Sequence, residues 1–192
     1  MITIQSIIAL IILFLYFSIE RFYRIGKDAK TLVKTKYDKG STNLTGFAYL
    51  TSWLIILTST VLCYFNKVCF YNKWISWIGV IISVSGFSIR LFALFSLGKF
   101  YTRTIRITDN HKIITTGTYR YIRHPGYLGV ILMFSGAAMA VSNWVGILYT
   151  LLIMPSSFIY RIYAEERMLI DHFGENYRKY MAESWRLLPF IY

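Results

Sequence analysis

Side chains able to bind or activate a small molecule are concentrated between His111 and Gly129. The segment reads His-Lys-Ile-Ile-Thr-Thr-Gly-Thr-Tyr-Arg-Tyr-Ile-Arg-His-Pro-Gly-Tyr-Leu-Gly and mixes cations, imidazoles, phenols and turn residues. Gly117 interrupts regular structure, and Pro125 favours the first turn of a helix that opens near Tyr127. The pattern therefore predicts a polar loop that approaches a helix start.

The charge of this segment favours an anionic ligand group. Free N–H groups in the first turn of a helix attract anions, and nearby cations and an imidazole strengthen that preference. The tyrosines offer flat faces and hydroxyls. A basic juxtamembrane loop that binds lipid headgroups is the alternative interpretation. The residues in question are Arg120, Arg123 and His124, with Tyr119, Tyr121 and Tyr127.

A second pair of candidate residues follows at Arg161 and Glu165. Their spacing of four places them on one face of a helix. A solvated ion pair of this kind is common and contributes only about 0.3–0.5 kcal/mol. However, the uncharged run before Arg161 places the pair at a membrane boundary, where a charge facing a cavity indicates function.

Arg90 and the histidines complete the set of candidate groups. Arg90 interrupts an apolar run, so it is either a functional residue inside a span or a side chain that extends to the interface. His111, His124 and His172 match no metal-binding spacing such as His-Glu-x-x-His. The sequence therefore predicts no metal site.

Five uncharged or nearly uncharged runs would position these residues. Hydrophobic residues make up 56% of the 192-residue chain and charged residues only 16%, a composition typical of integral membrane proteins. We expect one all-α membrane domain over 1–192, with the last two spans in a helical hairpin around Ser142-Asn143 and an amphipathic C-terminal segment broken at Gly174. The predicted spans are 2–19, 47–65, 74–97, 127–141 and 144–160.

The distribution of Lys and Arg predicts the orientation. The net charge is +12, and the segments 20–46, 98–126 and the C-terminal tail are basic, whereas the loop 66–73 has two lysines and the 142–143 turn none. This alternation places the N-terminus outside and the C-terminus in the cytoplasm. Cations between apolar runs indicate anionic lipids rather than nucleic acid as the partner.

Two further features of the sequence lead to predictions. The first apolar run lacks a basic start and a small-residue cleavage site, so we interpret it as a retained span. Cys63 and Cys69 form no Cys-x-x-Cys motif. We expect two separate thiols, one in the membrane and one near a loop.

Two of the motifs together resemble a known family. Gly117-Thr-Tyr119-Arg-Tyr-Ile-Arg-His-Pro-Gly-Tyr127 resembles the G-x-Y-x-x-x-R-H-P-x-Y signature of the isoprenylcysteine carboxyl methyltransferases and their prokaryotic relatives. The segment from Arg161 and Glu165 through Phe173-Gly174 to Tyr180 resembles that family's C-terminal motif. The resemblance covers about residues 80–192 in detail, and the N-terminal half matches in hydropathy alone.

The resemblance implies a methyltransferase that binds S-adenosyl-L-methionine without a Rossmann domain, and no G-x-G-x-x-G motif follows a strand here. The cofactor and catalytic part would span about 98–192. The catalytic residues would be Arg161, which also contacts the substrate, and Glu165. The residues lining the cofactor would be His111, Lys112, Ile113, Ile114, Tyr119, His124, Pro125, Gly126, Tyr127 and Glu165.

The chemistry of the cofactor suits these residues. His124 and the helix start near Tyr127 would hold its carboxylate, and Glu165 would pair with a cationic part. Arg161 would orient an anionic acceptor oxygen for in-line attack on the methyl group. A carboxylate acceptor needs no base, whereas a phenol or enol would need Glu165 or His124.

We expect the acceptor to be a lipid, isoprenoid or alkyl, with a carboxyl or hydroxyl group, methylated at the cytoplasmic face. The short chain suggests a prokaryotic-type enzyme of the cell membrane. Two other functions remain open. The NADPH-dependent sterol-type membrane reductases also carry an R-H-P-x-Y stretch, and a lipid-binding relative would need no catalysis.

Overall fold

The computed structural model describes residues 3–22, 35–65, 69–70, 72–108 and 111–191. Of the predicted basic loop 20–46, Arg24, Lys27, Lys30 and Lys34 lie outside these ranges, as does Lys67 of the next loop. The described residues form six helices and two short 3-10 turns, at Gly98–Phe100 and Gly117–Arg120. The helices are α1 (Ile4–Phe22), α2 (Ser41–Tyr64), α3 (Lys73–Leu97), α4 (Pro125–Val141), α5 (Trp144–Phe173) and α6 (Glu175–Glu183).

The prediction of an all-α integral membrane protein is confirmed. The helices α1, α2, α3 and α5 are long and apolar enough to cross a bilayer. The apolar helix α4 has 17 residues, or about 25 Å at 1.5 Å per residue, which is the short end of the spanning range. The predicted runs 74–97, 127–141 and 144–160 lie within α3, α4 and α5, and the runs 2–19 and 47–65 overlap α1 from Ile4 and α2 up to Tyr64.

Small residues determine how α3 and α4 pack, and this is the most extensive helix pair. A Cβ atom added at Gly79 would lie 2.6 Å from the carbonyl oxygen of Gly136, and one at Gly86 would lie 2.5 Å from that of Gly129. Only glycine at these positions lets the two backbones touch. Because helix association in lipid depends on close packing, this contact holds the centre of the bundle together.

The predicted hairpin joins α4 to α5 through two polar residues. Ser142 ends α4 in the left-handed conformation (φ 60°), and the Asn143 side chain caps α5 by accepting from the Gly146 N–H at 3.0 Å. The chain between α2 and α3 packs on this turn, since the Phe70 N–H donates to the Ser142 carbonyl at 3.2 Å. This end of the bundle is therefore closed.

The expectation of two separate thiols is wrong. Cys63 and Cys69 form a disulfide that ties the end of α2 to the residues before α3. The sequence offered little guidance because the intervening loop is short and no motif marks the pair.

The opposite end of the bundle brings the two sequence motifs together. Gly174 (φ 56°) separates α5 from α6, as the sequence predicted. After α6 the chain returns to the segment before α4. There the Trp185 N–H donates to the Tyr121 carbonyl, and the Arg123 N–H donates to the Trp185 carbonyl, both at 2.8 Å. The C-terminal segment therefore fixes the polar loop against the start of α4.

Candidate functional site

A cavity of about 700 Å³ lies at this end of the bundle. Its volume is within the range of small-molecule sites. The walls come from α1, α2, the end of α3, the start of α4, α5 and α6, together with the segments 100–106 and 111–114. Residues far apart in sequence thus face one space.

Nearly all the predicted site residues line this cavity. The exception is Pro125, which occupies the first position of α4 directly after the cap residue His124, and whose ring does not reach the cavity. Its predicted place in the first helical turn is nevertheless correct. The lining members are His111, Lys112, Ile113, Ile114, Tyr119, His124, Gly126, Tyr127, Arg161 and Glu165.

Arg161 and Glu165 are linked through a third residue. The Arg161 Nε donates to the Tyr127 hydroxyl at 2.9 Å, and that hydroxyl donates to Glu165 Oε2. The Tyr127 ring is itself held by stacking on His124 on one side and Phe158 on the other. A tyrosine from α4 therefore orients both charged groups of α5, in place of the direct pair that their spacing allowed.

The remaining partners of Arg161 are neutral. Its two terminal nitrogens donate to Thr42 Oγ1 at 3.1 Å and to the Arg103 carbonyl at 2.7 Å. Arg161 is only 6% exposed. A buried guanidinium held by a hydroxyl, a carbonyl and a phenol keeps its positive charge without a neutralising carboxylate in contact. Such a group attracts an anionic ligand.

Thr42 connects this guanidinium to the start of α2. Its hydroxyl donates to Asp38 Oδ1 at 2.9 Å, and the Ser41 hydroxyl donates to the same oxygen at 2.6 Å. Burial alone would raise the pKa of Asp38, but these hydrogen bonds and the Thr42 N–H outweigh it and lower the pKa from its ordinary value. The ionised carboxylate thus fixes the first turn of α2 beside Arg161.

His124 and Arg123 belong to a buried ionic cluster centred on Glu166. Arg123 Nε and His124 Nε2 lie 3.0 and 3.3 Å from Glu166 Oε1, and an Arg186 nitrogen lies 2.8 Å from Oε2. Arg123 also donates to the carbonyl oxygens of Met181 and Ser184. We expected Arg123 to attract an anionic ligand group. In the structure its guanidinium instead holds the C-terminal segment through these contacts.

His111 lies on the other side of the cavity, in an aromatic setting. Its ring is 5.4 Å from that of Phe100 and 5.8 Å from that of Phe173, and its Nδ1 lies 2.9 Å from Thr108 Oγ1. Burial lowers the pKa of His111 below its usual 6.5; Glu165 opposes this effect. His111 therefore presents a neutral ring to the cavity at neutral pH.

Arg90 is buried rather than extended to the interface. It is 7% exposed and pairs with Glu20 at 3.0 Å, while donating to the Tyr101 hydroxyl at 2.9 Å. Tyr101 donates in turn to Glu20. The cluster joins α1, α3 and the segment before Arg103, and it forms part of the cavity wall.

Sequence reasoning missed the contributions of α1 and α2 to the site. Glu20 and Tyr101 are 81 positions apart, and no local pattern links them. The contribution of α2 could have been predicted, since its cavity-lining residues recur at helical spacing along an otherwise apolar run. They are Thr42, Thr45, Gly46, Tyr49, Leu50 and Trp53. Within the described part of the chain, no group of three or more His, Cys, Asp or Glu residues is placed to hold a metal ion.

Comparison with known proteins shows a similarity to one family. Residues 77–171 match the family model described as isoprenylcysteine carboxyl methyltransferase (ICMT) family. A probable protein-S-isoprenylcysteine O-methyltransferase of Oryza sativa subsp. indica is 35% identical over 120 residues, covering 62% of this chain and 63% of that protein. Over residues 77–171 the chain is similar to the isoprenylcysteine carboxyl methyltransferase family.

Other members of the family agree over a similar region. The protein-S-isoprenylcysteine O-methyltransferase of Dictyostelium discoideum is 30% identical and covers 67% of this chain and 54% of that protein. A solved structure of the eukaryotic intramembrane Ras methyltransferase ICMT aligns with a TM-score of 0.65 at 28% identity, over 76% of this chain and 52% of that one.

The matches cover only part of each relative, and all the relatives named here come from eukaryotes. The chain spans 63% of the length of the rice relatives it matches. The relatives named here are eukaryotic, so they lend no support to the expected prokaryotic type or prokaryotic membrane. The predicted membrane methyltransferase family, in contrast, is confirmed.

Proposed function

We propose that the protein transfers the methyl group of S-adenosyl-L-methionine to the carboxylate of an S-isoprenylcysteine-type lipid acceptor, at the cytoplasmic end of the bundle. One observation carries the proposal. A single cavity joins the Arg161–Tyr127–Glu165 group to a wall of apolar and aromatic side chains from α1 and α2.

The His111 side of the cavity fits the cofactor. Glu165 is partly exposed (28%) and lies in the cavity wall, so it is available to a cationic group of the ligand. The neutral imidazole of His111 and the buried Tyr119 supply flat surfaces for a nucleobase. When bound, the cofactor supplies an electrophilic methyl group on a sulfonium. The backbone of residues 112–114 and the start of α4 at Gly126 and Tyr127 would line it.

The Arg161 side fits the acceptor carboxylate. The guanidinium is held by Thr42, Arg103 and Tyr127, all through neutral groups, so an incoming carboxylate gains a charged partner. Because an ionised carboxylate is already a nucleophile, the site needs only to fix its direction of attack. The products would be a methyl ester and S-adenosylhomocysteine, and no proton is released.

The apolar wall fits a lipid tail. Phe14, Phe17, Leu50 and Trp53 line the part of the cavity formed by α1 and α2. Phe14 and Leu50 are also 65% and 61% exposed, on helices that are long and apolar enough to cross a bilayer. An acceptor whose tail stays in lipid would therefore present its carboxylate to Arg161.

The test is methyl transfer by the detergent-purified protein from radiolabelled S-adenosylmethionine to N-acetyl-S-farnesylcysteine. The controls are the carboxamide of that compound, which lacks the acceptor oxygen, and N-acetyl-S-methylcysteine, which lacks the tail. Transfer to the first compound alone supports the proposal. Binding of S-adenosylhomocysteine without transfer to any prenylated carboxylate would reject the acceptor class.

Cofactor binding separates the remaining functions. The relatives named above are methyltransferases and lend no support to an NADPH-dependent reductase or to a non-catalytic lipid-binding protein. Calorimetric titration with S-adenosylhomocysteine and with NADPH distinguishes the three. We expect saturable binding of the first alone, and binding of NADPH alone would overturn the methyltransferase assignment.

A further inference from the structure

The Arg161 guanidinium has one protein acceptor for each of its three nitrogens. Nε donates to the Tyr127 hydroxyl. The two terminal nitrogens donate to the Thr42 hydroxyl and to the Arg103 carbonyl. Three contacts around a planar group fix its plane as well as its position. The direction in which Arg161 presents its other N–H groups to an acceptor carboxylate therefore depends on all three partners.

Two of these partners are hydroxyls whose protons are held by carboxylates. A hydroxyl has one proton to donate and two lone pairs that accept. Tyr127 gives its proton to Glu165. In the same way, Thr42 gives its proton to Asp38 Oδ1 at 2.9 Å. Each hydroxyl thus meets Arg161 as an acceptor, and Asp38 is the counterpart of Glu165 on the other side of the guanidinium.

Asp38 does more than cap the start of α2. Its Oδ1 also accepts from the Ser41 hydroxyl at 2.6 Å and from the Thr42 N–H at 2.9 Å, whereas Oδ2 is buried without a hydrogen-bond partner in the described ranges. A cap needs one acceptor oxygen, which an asparagine supplies without the cost of burying a charge. Burial raises the pKa of Asp38, but these hydrogen bonds and the positive charge of Arg161 lower it below its ordinary value. The charge of Asp38 is thus linked to that of Arg161.

The turn before α2 also contacts α5 and the chain that follows Arg103. The Tyr160 hydroxyl of α5 donates to the Lys39 carbonyl at 3.0 Å. The Thr35 hydroxyl donates to the Ile105 carbonyl at 2.7 Å. These bonds hold the turn where the partners of the guanidinium meet, so the carboxylate of this turn keeps its place relative to the guanidinium.

We propose that Asp38 is a positioning residue for the reaction, because through the Thr42 hydroxyl it fixes the Arg161 guanidinium in the orientation that receives the acceptor carboxylate. This inference rests on the proposed function, since it needs that carboxylate at Arg161. An arginine four residues from a glutamate on a helix is able to form a direct ion pair, which would neutralise its charge. A hydroxyl acceptor on each side keeps the guanidinium out of that pair and oriented for the ligand.

The experiment measures kcat and KM for N-acetyl-S-farnesylcysteine, and the calorimetric Kd of this carboxylate and of its carboxamide. Thr42→Val removes the hydroxyl and keeps the shape of the side chain. The acceptor kcat/KM and the preference for the carboxylate over the carboxamide should therefore each fall by about tenfold or more. Thr42→Ser restores the hydroxyl and should recover most of both. The Kd of S-adenosylhomocysteine should stay the same in both variants.

A double-mutant cycle shows whether Asp38 acts through Thr42. Asp38→Asn keeps an acceptor oxygen for the start of α2 and removes the charge that holds the Thr42 proton, so kcat/KM should fall by about threefold to tenfold. In the Thr42→Val background the same change should have almost no further effect. Additive losses would mean that Asp38 acts independently of Thr42 and would overturn the proposal.

Ser41→Ala is the matched control for Thr42→Val. Ser41 donates to the same Asp38 oxygen, but it has no hydrogen bond to Arg161 and does not line the cavity. This variant should lower the melting temperature and leave the carboxylate preference near that of the wild type. Thr60→Val removes another buried hydroxyl of α2, one that donates to a backbone carbonyl at 2.9 Å, and should change neither the kinetics nor the preference.

The outcomes separate this proposal from the proposed function. If Thr42→Val and Ser41→Ala lose activity in proportion to their melting temperatures, with the carboxylate preference unchanged, Asp38 is a cap alone and the proposal is overturned. If the wild type transfers no methyl group but binds the carboxylate with a preference that depends on Thr42 and Asp38, the positioning role is supported and the proposed reaction is rejected.

Discussion

Arg161 and Glu165 lie one turn apart on α5, but they meet through the Tyr127 hydroxyl rather than with each other. The phenol accepts from the guanidinium and donates to the carboxylate. The Tyr127 hydroxyl thus couples two charged groups that both line the cavity. Arg161 faces the proposed acceptor, and Glu165 faces the proposed cofactor.

Tyr127→Phe removes this bridge and keeps the ring stacked between His124 and Phe158. Hydrogen bonds to charged groups contribute about 1.5–3 kcal/mol each, so we expect kcat to fall by about 10- to 100-fold. The affinity for S-adenosylhomocysteine should change much less. Initial rates and calorimetry measure the two effects separately.

The control for Tyr127→Phe is Tyr149→Phe. Tyr149 also donates its hydroxyl to a side chain, Thr51, at 2.7 Å, but it does not line the cavity. Its kcat should match that of the wild type. Equal rates for Tyr127→Phe and the wild type would show that the bridge has no part in turnover.

Arg161→Gln tests the division of roles between the two α5 residues. It removes the positive charge that faces the acceptor, so methyl transfer should be lost while S-adenosylhomocysteine binding stays largely intact. Arg167→Gln, an exposed residue of the same helix, should be silent. Loss of cofactor binding in Arg161→Gln would assign the guanidinium to the cofactor instead.

Hydropathy was sufficient to predict the helices, because each span needs about 20 apolar residues and charged segments mark their ends. Hydropathy was not sufficient to predict which helices pack against each other. Gly79, Gly86, Gly129 and Gly136 recur every seven residues, but only the structure shows that these two rows face each other. The Cys63–Cys69 bond was missed for the same reason, since a pairing in space leaves no local periodicity.

The candidate site was predictable where its residues share a motif. The segment 111–127 and the pair on α5 converge on one cavity, as the resemblance implied. The sequence could not show that the adjacent residues Glu165 and Glu166 have different surroundings. Glu165 faces the cavity, whereas Glu166 is 3% exposed among three basic side chains. Which of two neighbouring carboxylates turns inward depends on the tertiary packing of α6 and the C-terminal segment.

Glu166→Ala should destabilise the protein strongly. It leaves Arg123 and His124 buried without their shared carboxylate, a change that typically costs about 3–5 kcal/mol. Thermal unfolding in detergent measures this loss. Glu175→Ala is the control, because its pair with Arg178 is exposed at 81% and 60%, so it contributes less than about 1 kcal/mol. Similar melting temperatures for both variants would contradict a structural role for the Glu166 cluster.

The lowered pKa of His111 predicts how stability depends on pH. Burial keeps this ring neutral in the folded protein, whereas the unfolded chain takes up a proton near pH 6.5. The unfolded state thus binds more protons between the two pKa values, so the contribution of His111 falls as pH drops through 6.5 to the lower folded value. Above pH 7 it should be flat.

Melting temperatures of the ligand-free protein between pH 5 and 8 measure this effect. His111→Gln has no group to titrate and should lose part of the decline on the acidic side. A decline of the same size in His111→Gln and the wild type would assign the pH dependence to other groups.

The Cys63–Cys69 disulfide should contribute to stability without affecting turnover. It closes a loop with a sequence separation of 6, for which chain entropy gives about 2 kcal/mol. The bond lies at the closed end of the bundle beside Asn143, and neither cysteine lines the cavity. The double variant Cys63→Ser/Cys69→Ser should therefore melt at a lower temperature and methylate at the wild-type rate.

The same bond tests the orientation of the bundle. Disulfides form where the compartment is oxidising, so the α2–α3 connection should face away from the cytoplasm and the cavity should face into it. In membranes isolated in the presence of an alkylating agent, a maleimide-polymer probe should shift the protein on a gel only after reduction. No shift even after reduction would mean that the alkylating agent had blocked free thiols, and would place this end of the bundle on the cytoplasmic side.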